Sequence, residues 1–224
     1  MTCSGIIFDF NGTLVFDMRV HDRAWEVLIP EIRGHGFTRQ ELDDHVNGRN
    51  NREIFSYVLG RELSEEESRP YGERKEALYR ELLTATPEAF RLAPGAEEFL
   101  DLLASKGLPM AIATAAPLSN IRFYREHFGL DRWFPESRIV YSDGTVPGKP
   151  DPAIFNRALE RLGLPASSCL VVEDSVLGVQ AARAAGIPRV VGIHADEATR
   201  VSLEPLNLDR LVPDYRHLDL SVLG

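Results

Sequence analysis

Gly5-Ile6-Ile7-Phe8-Asp9-Phe10-Asn11-Gly12-Thr13-Leu14 is the stretch that decides the fold. Its apolar run has no polar alternation and closes on a carboxylate and a glycine turn, which is how a strand buried on both faces of a parallel sheet reads. Four later stretches repeat the pattern: Pro109 to Thr114, Arg138 to Tyr141, Cys169 to Glu173 and Arg189 to Ile193. Helical periodicity fills the intervals at Ala96 to Lys106, Leu118 to His127, Pro152 to Leu162 and Val176 to Ala185. Such alternation predicts an α/β fold, a Rossmann-like parallel sheet with helices on both faces. After His194 no motif appears, and only a closing edge strand near Leu211-Val212 and a short terminal helix are expected.

Between Phe16 and Arg91 the strands stop. Arg19 to Ile32 reads as a helix with Val20, Ala24, Val27 and Leu28 on one face. Thr38 to Val46 opens with a capping box, Thr38 and Glu41; Asn50 to Leu59 is a third helix; Ser64 to Leu83 opens with another box and acids in its first turn. The expected organisation is an α/β core made of residues 1–15 and 92–224, with a helical cap, 16–91, inserted after the first strand.

The 224 residues are 44% hydrophobic and 26% charged, ordinary globular usage that excludes a disordered chain or a coiled-coil rod. A net charge of −9 without a basic block argues against nucleic acid as partner. Two cysteines, Cys3 and Cys169, give no disulfide framework and suit a reducing, cytoplasmic compartment. No run reaches the roughly 20 apolar residues of a membrane span, so no membrane partner is expected.

Ligands of open parallel sheets bind outside the carboxyl ends of the strands. There the chain carries Asp9-Phe10-Asn11, Thr114-Ala115-Ala116, Gly148-Lys149-Pro150 and Glu173-Asp174-Ser175. Each piece has a plain reading as a turn residue, a helix cap or a solvated charge. Their coincidence at four strand ends, in a chain with three lysines (Lys75, Lys106, Lys149), favours a site. A carboxylate attacking phosphorus must overcome the negative charge of the phosphate, and a divalent cation held by carboxylates neutralises both. Asp9, Asp174 and the Asn11 main-chain carbonyl would form half a Mg²⁺ shell, while Lys149 and the Thr114 hydroxyl would hold the phosphoryl oxygens. Asp9 would become a phosphoaspartate that water then hydrolyses.

These residues resemble the haloacid dehalogenase-like superfamily. Its first motif, Asp-x-Asp-Gly-Thr-Leu, stands here as Asp9-Phe10-Asn11-Gly12-Thr13-Leu14. The second matches Thr114, the third Lys149-Pro150, and the fourth Glu173-Asp174 followed by Ser175 and Gly178. The resemblance runs from Gly5 to about Ile193, and the insert is most similar to the cap of the β-phosphoglucomutase and small-molecule phosphatase branch. It implies Asp9, Asn11 and Lys149 as catalytic positions and Asp9, Asn11, Glu173 and Asp174 as the Mg²⁺ site. Phosphate would fall to Thr114, Ala115 and Lys149. His21, Arg49 and Asn50 would be substrate contacts on the cap, where Gly48-Arg49-Asn50-Asn51 resembles the loop that reads the substrate; Trp25 is expected in the bundle core.

Asn11 departs from the pattern. The family's phosphatases and mutases have an aspartate there that protonates the leaving oxygen and then activates water, and an amide does neither. Three explanations stand: a slow phosphatase or one that prefers good leaving groups; a proton supplied by His21; or a chain that binds phosphorylated ligands without turnover. If the acid–base role is vacant, Asn11→Asp is expected to raise turnover. The resulting expectation is a Mg²⁺-dependent phosphatase of a small phosphorylated metabolite, such as a sugar phosphate, acting as a monomer or weak dimer. A β-phosphoglucomutase-type mutase is the alternative. A phosphonate hydrolase is disfavoured because the one cap lysine, Lys75, falls far along the fourth helix, and a haloacid dehalogenase because its chemistry needs no metal.

Overall fold

Six parallel strands form one sheet in the order β3-β2-β1-β4-β5-β6. They are β1 (Gly5–Phe8), β2 (Met110–Pro117), β3 (Ile139–Ser142), β4 (Cys169–Glu173), β5 (Arg189–Ile193) and β6 (Arg210–Val212). The structure, a computed structural model, describes residues 3–46 and 49–224, apart from the Asp43 side chain. From β1 the chain builds outward to β2 and β3, then returns to β4 on the other side of β1 and continues outward again. The crevice between the carboxyl ends of β1 and β4 is therefore the switch point, where open sheets bind ligands. Register fixes its contents, because Phe8 lies opposite Val172 and the next residues, Asp9 and Glu173, reach the edge together.

All four residues of β1 are buried, and their side chains alternate between two layers. Ile6 and Phe8 pack with Phe99, Phe134 and Tyr215, whereas Ile7 packs with Phe155, Val179 and Ile187. Around the sheet lie α5 (Ala96–Ser105), α6 (Leu118–Phe128), α7 (Ala153–Leu162), α8 (Val176–Ala184) and α9 (Glu197–Leu203).

Between β1 and α5 come four helices, α1 (Met18–Arg33), α2 (Arg39–His45), α3 (Asn51–Leu59) and α4 (Glu65–Thr84). They enclose a separate small core of Trp25, Leu28, Ile29, Val46, Ile54, Phe55 and Leu63. Thr38 with Glu41 and Ser64 with Glu67 form reciprocal capping boxes at α2 and α4. The far part of α4 leaves this bundle, and Tyr79 and Leu83 join the large core beneath the sheet.

Two features differ from the sequence reading. Helix α9 was not expected; Asp196 starts it by accepting from the Thr199 amide. In place of a terminal helix the chain ends in two 3₁₀ turns, Tyr215–His217 and Leu220–Leu223, each opened by an aspartate. Among the described residues no helix is long and apolar enough to cross a membrane.

Candidate active site

Lys149 sits at the centre of the crevice. Its Nζ donates to Asp9 Oδ1 at 2.7 Å and to Glu173 Oε1. Asp9, Glu173 and Asp174 each offer a carboxylate oxygen, and these three atoms lie within 4.8 Å of one another. Thr13 Oγ1 donates to Asp174 Oδ1 at 3.2 Å. On the neighbouring strand the β2–β3 register shifts between Ala113 and Pro117, so Thr114 and Ala115 leave the regular ladder at the cavity wall. The Thr114 hydroxyl oxygen there accepts from the Ala116 amide at 3.1 Å.

Glycines give the carboxylates room. Gly12 has φ of 80°, and a Cβ on it would come within 2.0 Å of Asp174 Oδ2. A Cβ on Gly178, in the first turn of α8, would come within 1.8 Å of Glu173 Oε1. Glu173 Oε2 is already fixed by the amides of Asp174 and Ser175 and by the Ser175 hydroxyl, at 2.8 to 2.9 Å. Only Oε1, shared with Lys149, is left to face the cluster.

Three carboxylates here meet one ammonium. Burial, aided by Glu173 and opposed by Lys149, pushes the Asp9 carboxyl up to about 7. Burial also raises Asp174 far above the usual range, with Glu173 and Asp9 adding to it. Burial works against the Lys149 ammonium, but Asp9 and Glu173 outweigh it and hold its pKa above normal. Hard oxygen donors, close together and with excess negative charge, are a donor set that fits Mg²⁺.

A cavity of about 430 Å³ opens over this cluster, a size that suits a small metabolite. Asp9, Asn11, Thr114, Ala115, Lys149, Glu173 and Asp174 form its floor, His21, Trp25, Asn51 and Lys75 come from the helices above, and Arg49 from the connection between α2 and α3. Asn50 is not among its lining. Its Oδ1 caps α3 by accepting from the Glu53 amide at 3.0 Å, so this expected substrate contact is a structural one. Gly48 lies outside the described residues. Trp25 belongs both to the bundle core and to the cavity wall.

Lys75 corrects the sequence reading most. Far along α4 it still turns into the cavity, buried, with Nζ 2.6 Å from His21 Nδ1 and 3.0 Å from Glu76 Oε1. It also lies 4.8 Å from the Trp25 ring centre. Glu76 is held at about 2, because Lys75 and His21 overcome the opposing effect of burial. Burial, reinforced by Lys75, drives His21 down to about 3. His21 is therefore neutral at physiological pH, with Nδ1 accepting from Lys75 and the proton on Nε2, and it is not a standing proton donor. Its ring stacks on Tyr79 at 3.9 Å between centroids. The expected NMR titration shows His21 ring signals unmoved from pH 8 to pH 5, and Lys75→Met raising the ring pKa; a wild-type midpoint near 6.5 would contradict the arrangement.

Asn11 closes a ring of hydrogen bonds. Its Nδ2 donates to Asp17 Oδ2 at 2.6 Å and to the Tyr124 hydroxyl at 2.8 Å, with the Tyr79 hydroxyl farther off at 3.3 Å. Tyr124 donates to Tyr79 at 3.1 Å, and Tyr79 donates to Asp17. Asp17 Oδ1 accepts from the Gly12 amide at 3.0 Å. Burial raises the Asp17 carboxyl to about 6. Sequence reasoning missed Asp17, Tyr79 and Tyr124 altogether, since no local pattern links them.

The sequence profile of the haloacid dehalogenase-like hydrolases matches residues 3–186. Among curated proteins, the chain is 30% identical over 203 residues to hexitol phosphatase A of Escherichia coli, covering 89% of this chain and 87% of that one. It is 29% identical over 192 residues to a phosphorylated carbohydrates phosphatase of Thermotoga maritima, covering 84% of each. Among solved structures, a HAD hydrolase of family IA, variant 3, from Entamoeba histolytica superposes with a TM-score of 0.85 at 30% identity, over 98% of this chain and 97% of that one.

Proposed function

Because the chain belongs to the haloacid dehalogenase-like hydrolase family, we propose that it is a Mg²⁺-dependent phosphatase acting on a small phosphorylated metabolite, a sugar or polyol phosphate. It is a hydrolase of phosphomonoesters, as the phosphatases to which it is similar are. The observation that carries the finer reading is Lys149 seated between Asp9 and Glu173 on the floor of the cavity.

In this reading the Asp9 carboxylate attacks phosphorus and the bond to the leaving oxygen breaks. Lys149, the Thr114 hydroxyl and the Ala115 main chain hold the phosphoryl oxygens as charge develops on them. Asp9, Asp174 and the Asn11 carbonyl would hold Mg²⁺, with Glu173 beside them, and the cation supplies charge neutralisation between carboxylate and phosphate. Helices α1–α4 roof the site, and Arg49, Asn51 and Trp25 read the part of the substrate that does not react. The neutral His21 and the amide at Asn11 offer no strong acid to a departing alkoxide, so turnover of a sugar or polyol phosphate should be slower than that of an ester whose leaving oxygen is stable as an anion. We place the enzyme in the cytoplasm, where the unpaired thiols of Cys3 and Cys169 stay reduced.

The test is orthophosphate release from a panel of phosphorylated metabolites, with Mg²⁺ and with EDTA. The expected result is release from at least one sugar or polyol phosphate, abolished by EDTA and restored by excess Mg²⁺. Metal-dependent binding without release from any member would replace the reading with that of a phosphate-ligand binder.

A further inference from the structure

Asn11 reads from sequence as a lost aspartate, yet the structure surrounds it with a complete and directional set of partners. Its two amide protons go to Asp17 Oδ2 and to the Tyr124 hydroxyl, at 2.6 and 2.8 Å. Turned over, the amide would set its own oxygen against the Asp17 carboxylate, oxygen to oxygen and with no proton between them. The polarity of the network therefore permits one orientation. Asn11 also lines the cavity beside Asp9, and with Nδ2 committed to Asp17 and Tyr124, Oδ1 is the side-chain atom left to accept a further hydrogen bond.

We infer that Asp17 is a positioning residue for the reaction: it fixes the Asn11 amide so that Oδ1 holds the water that hydrolyses the phosphoaspartate on Asp9. The inference rests on the phosphatase reading above. In this step the water oxygen forms the new bond to phosphorus, and the bond from phosphorus to the Asp9 oxygen breaks with its electron pair returning to the carboxylate. Both water protons leave on the product, dihydrogen phosphate. An amide oxygen cannot take a proton at neutral pH, but it can accept a hydrogen bond and aim the water lone pair at phosphorus, which is a matter of orientation. An acyl phosphate needs no more, because its leaving group is already a carboxylate.

The same geometry reverses the expectation for Asn11→Asp. A carboxylate oxygen in place of Nδ2 would meet Asp17 Oδ2 at hydrogen-bond distance, and two carboxylates so placed cannot both stay ionised. The positions have to change together. With asparagine placed at 17 and aspartate at 11, the amide at 17 can still accept from the Gly12 amide while donating to the carboxylate at 11.

The experiment follows p-nitrophenyl phosphate turnover with Mg²⁺ in rapid mixing, for wild type, Asp17→Asn, Asn11→Asp and the double exchange Asn11→Asp/Asp17→Asn. For Asp17→Asn the expected result is a retained initial burst of nitrophenol, reporting phosphorylation of Asp9, with a steady rate lower on the order of 10²-fold and KM little changed. A general structural defect would instead diminish burst and steady rate together. Asn11→Asp alone is expected to lower both Tm and turnover, and the double exchange to restore the steady rate to within about tenfold of wild type. A wild-type steady rate in Asp17→Asn, a faster Asn11→Asp with unchanged Tm, or a folded double exchange that stays slow would each overturn the inference. Should Asp17→Asn fail to fold, the double exchange decides alone. A wild-type enzyme that releases no nitrophenol would overturn the phosphatase reading itself, an outcome distinct from the others.

Discussion

Asp9→Asn is expected to lower phosphate release on the order of 10⁴-fold or more, because it removes the nucleophile and not a group that merely assists it. The fold should survive. The replacement is isosteric, and an amide oxygen can still accept from Lys149 where Asp9 Oδ1 now does, at 2.7 Å. It also removes one of three carboxylates crowded within 4.8 Å. Repulsion in that cluster already adds to the effect of burial in raising Asp9 and Asp174. The metal-free variant should therefore unfold at the wild-type temperature or slightly above it, while holding Mg²⁺ more weakly. Orthophosphate release and thermal unfolding, measured on the same preparation, check both halves. Turnover within about tenfold of wild type would mean that another group attacks phosphorus.

How much of this could be read without coordinates depends on the range over which each residue is placed. Asp9, Thr114, Lys149 and Glu173-Asp174 were legible because each follows an apolar run that announces a buried strand, and parallel strands bring such ends to one edge. Asn50 was open to a better reading: Asn50 with Glu53 three residues on is a capping box, and capping is the use the structure makes of it. Lys75 and Tyr79 carry no such local signal. Their positions depend on how α4 crosses α1, which sets Tyr79 against Asp17 across 62 residues and Lys75 against His21 across 54. The state of His21 was hidden for the same reason, since a ring with an ordinary pKa from its sequence surroundings meets an ammonium only in the folded chain. The resemblance drew attention to Asn11 as an absence; the ring through Asp17, Tyr79 and Tyr124 shows what occupies the place.

Lys149→Met should produce the largest loss of stability of any single change at the site. The ammonium is buried, 3% exposed, between Asp9 and a Glu173 that is itself fully enclosed. Removing it leaves a carboxylate cluster with no cation of its own, and breaking a buried pair by deleting one partner costs about 3–5 kcal/mol. For a chain of this size each kcal/mol moves Tm by roughly 2–4 °C, so a fall on the order of 10 °C is expected in metal-free buffer. The pH dependence follows from the sign of the Asp9 shift. Its folded pKa, about 7 with the lysine in place, already lies above the ordinary carboxyl value of 3.8, and deleting the lysine lifts it further. Between those limits the folded state binds more protons than the unfolded one, so stability falls as pH rises through the window. The deficit of the variant should accordingly be small near pH 5, where the cluster can protonate, and large near pH 8.5. Mg²⁺ should raise the variant's Tm more than the wild type's, because the cation meets charge that Lys149 otherwise balances. Turnover should fall on the order of 10²- to 10³-fold even where the variant is folded, through loss of a donor to the phosphoryl oxygens. Unfolding curves at the two pH values, with and without Mg²⁺, separate this account from a packing defect, which would cost the same stability in all four conditions.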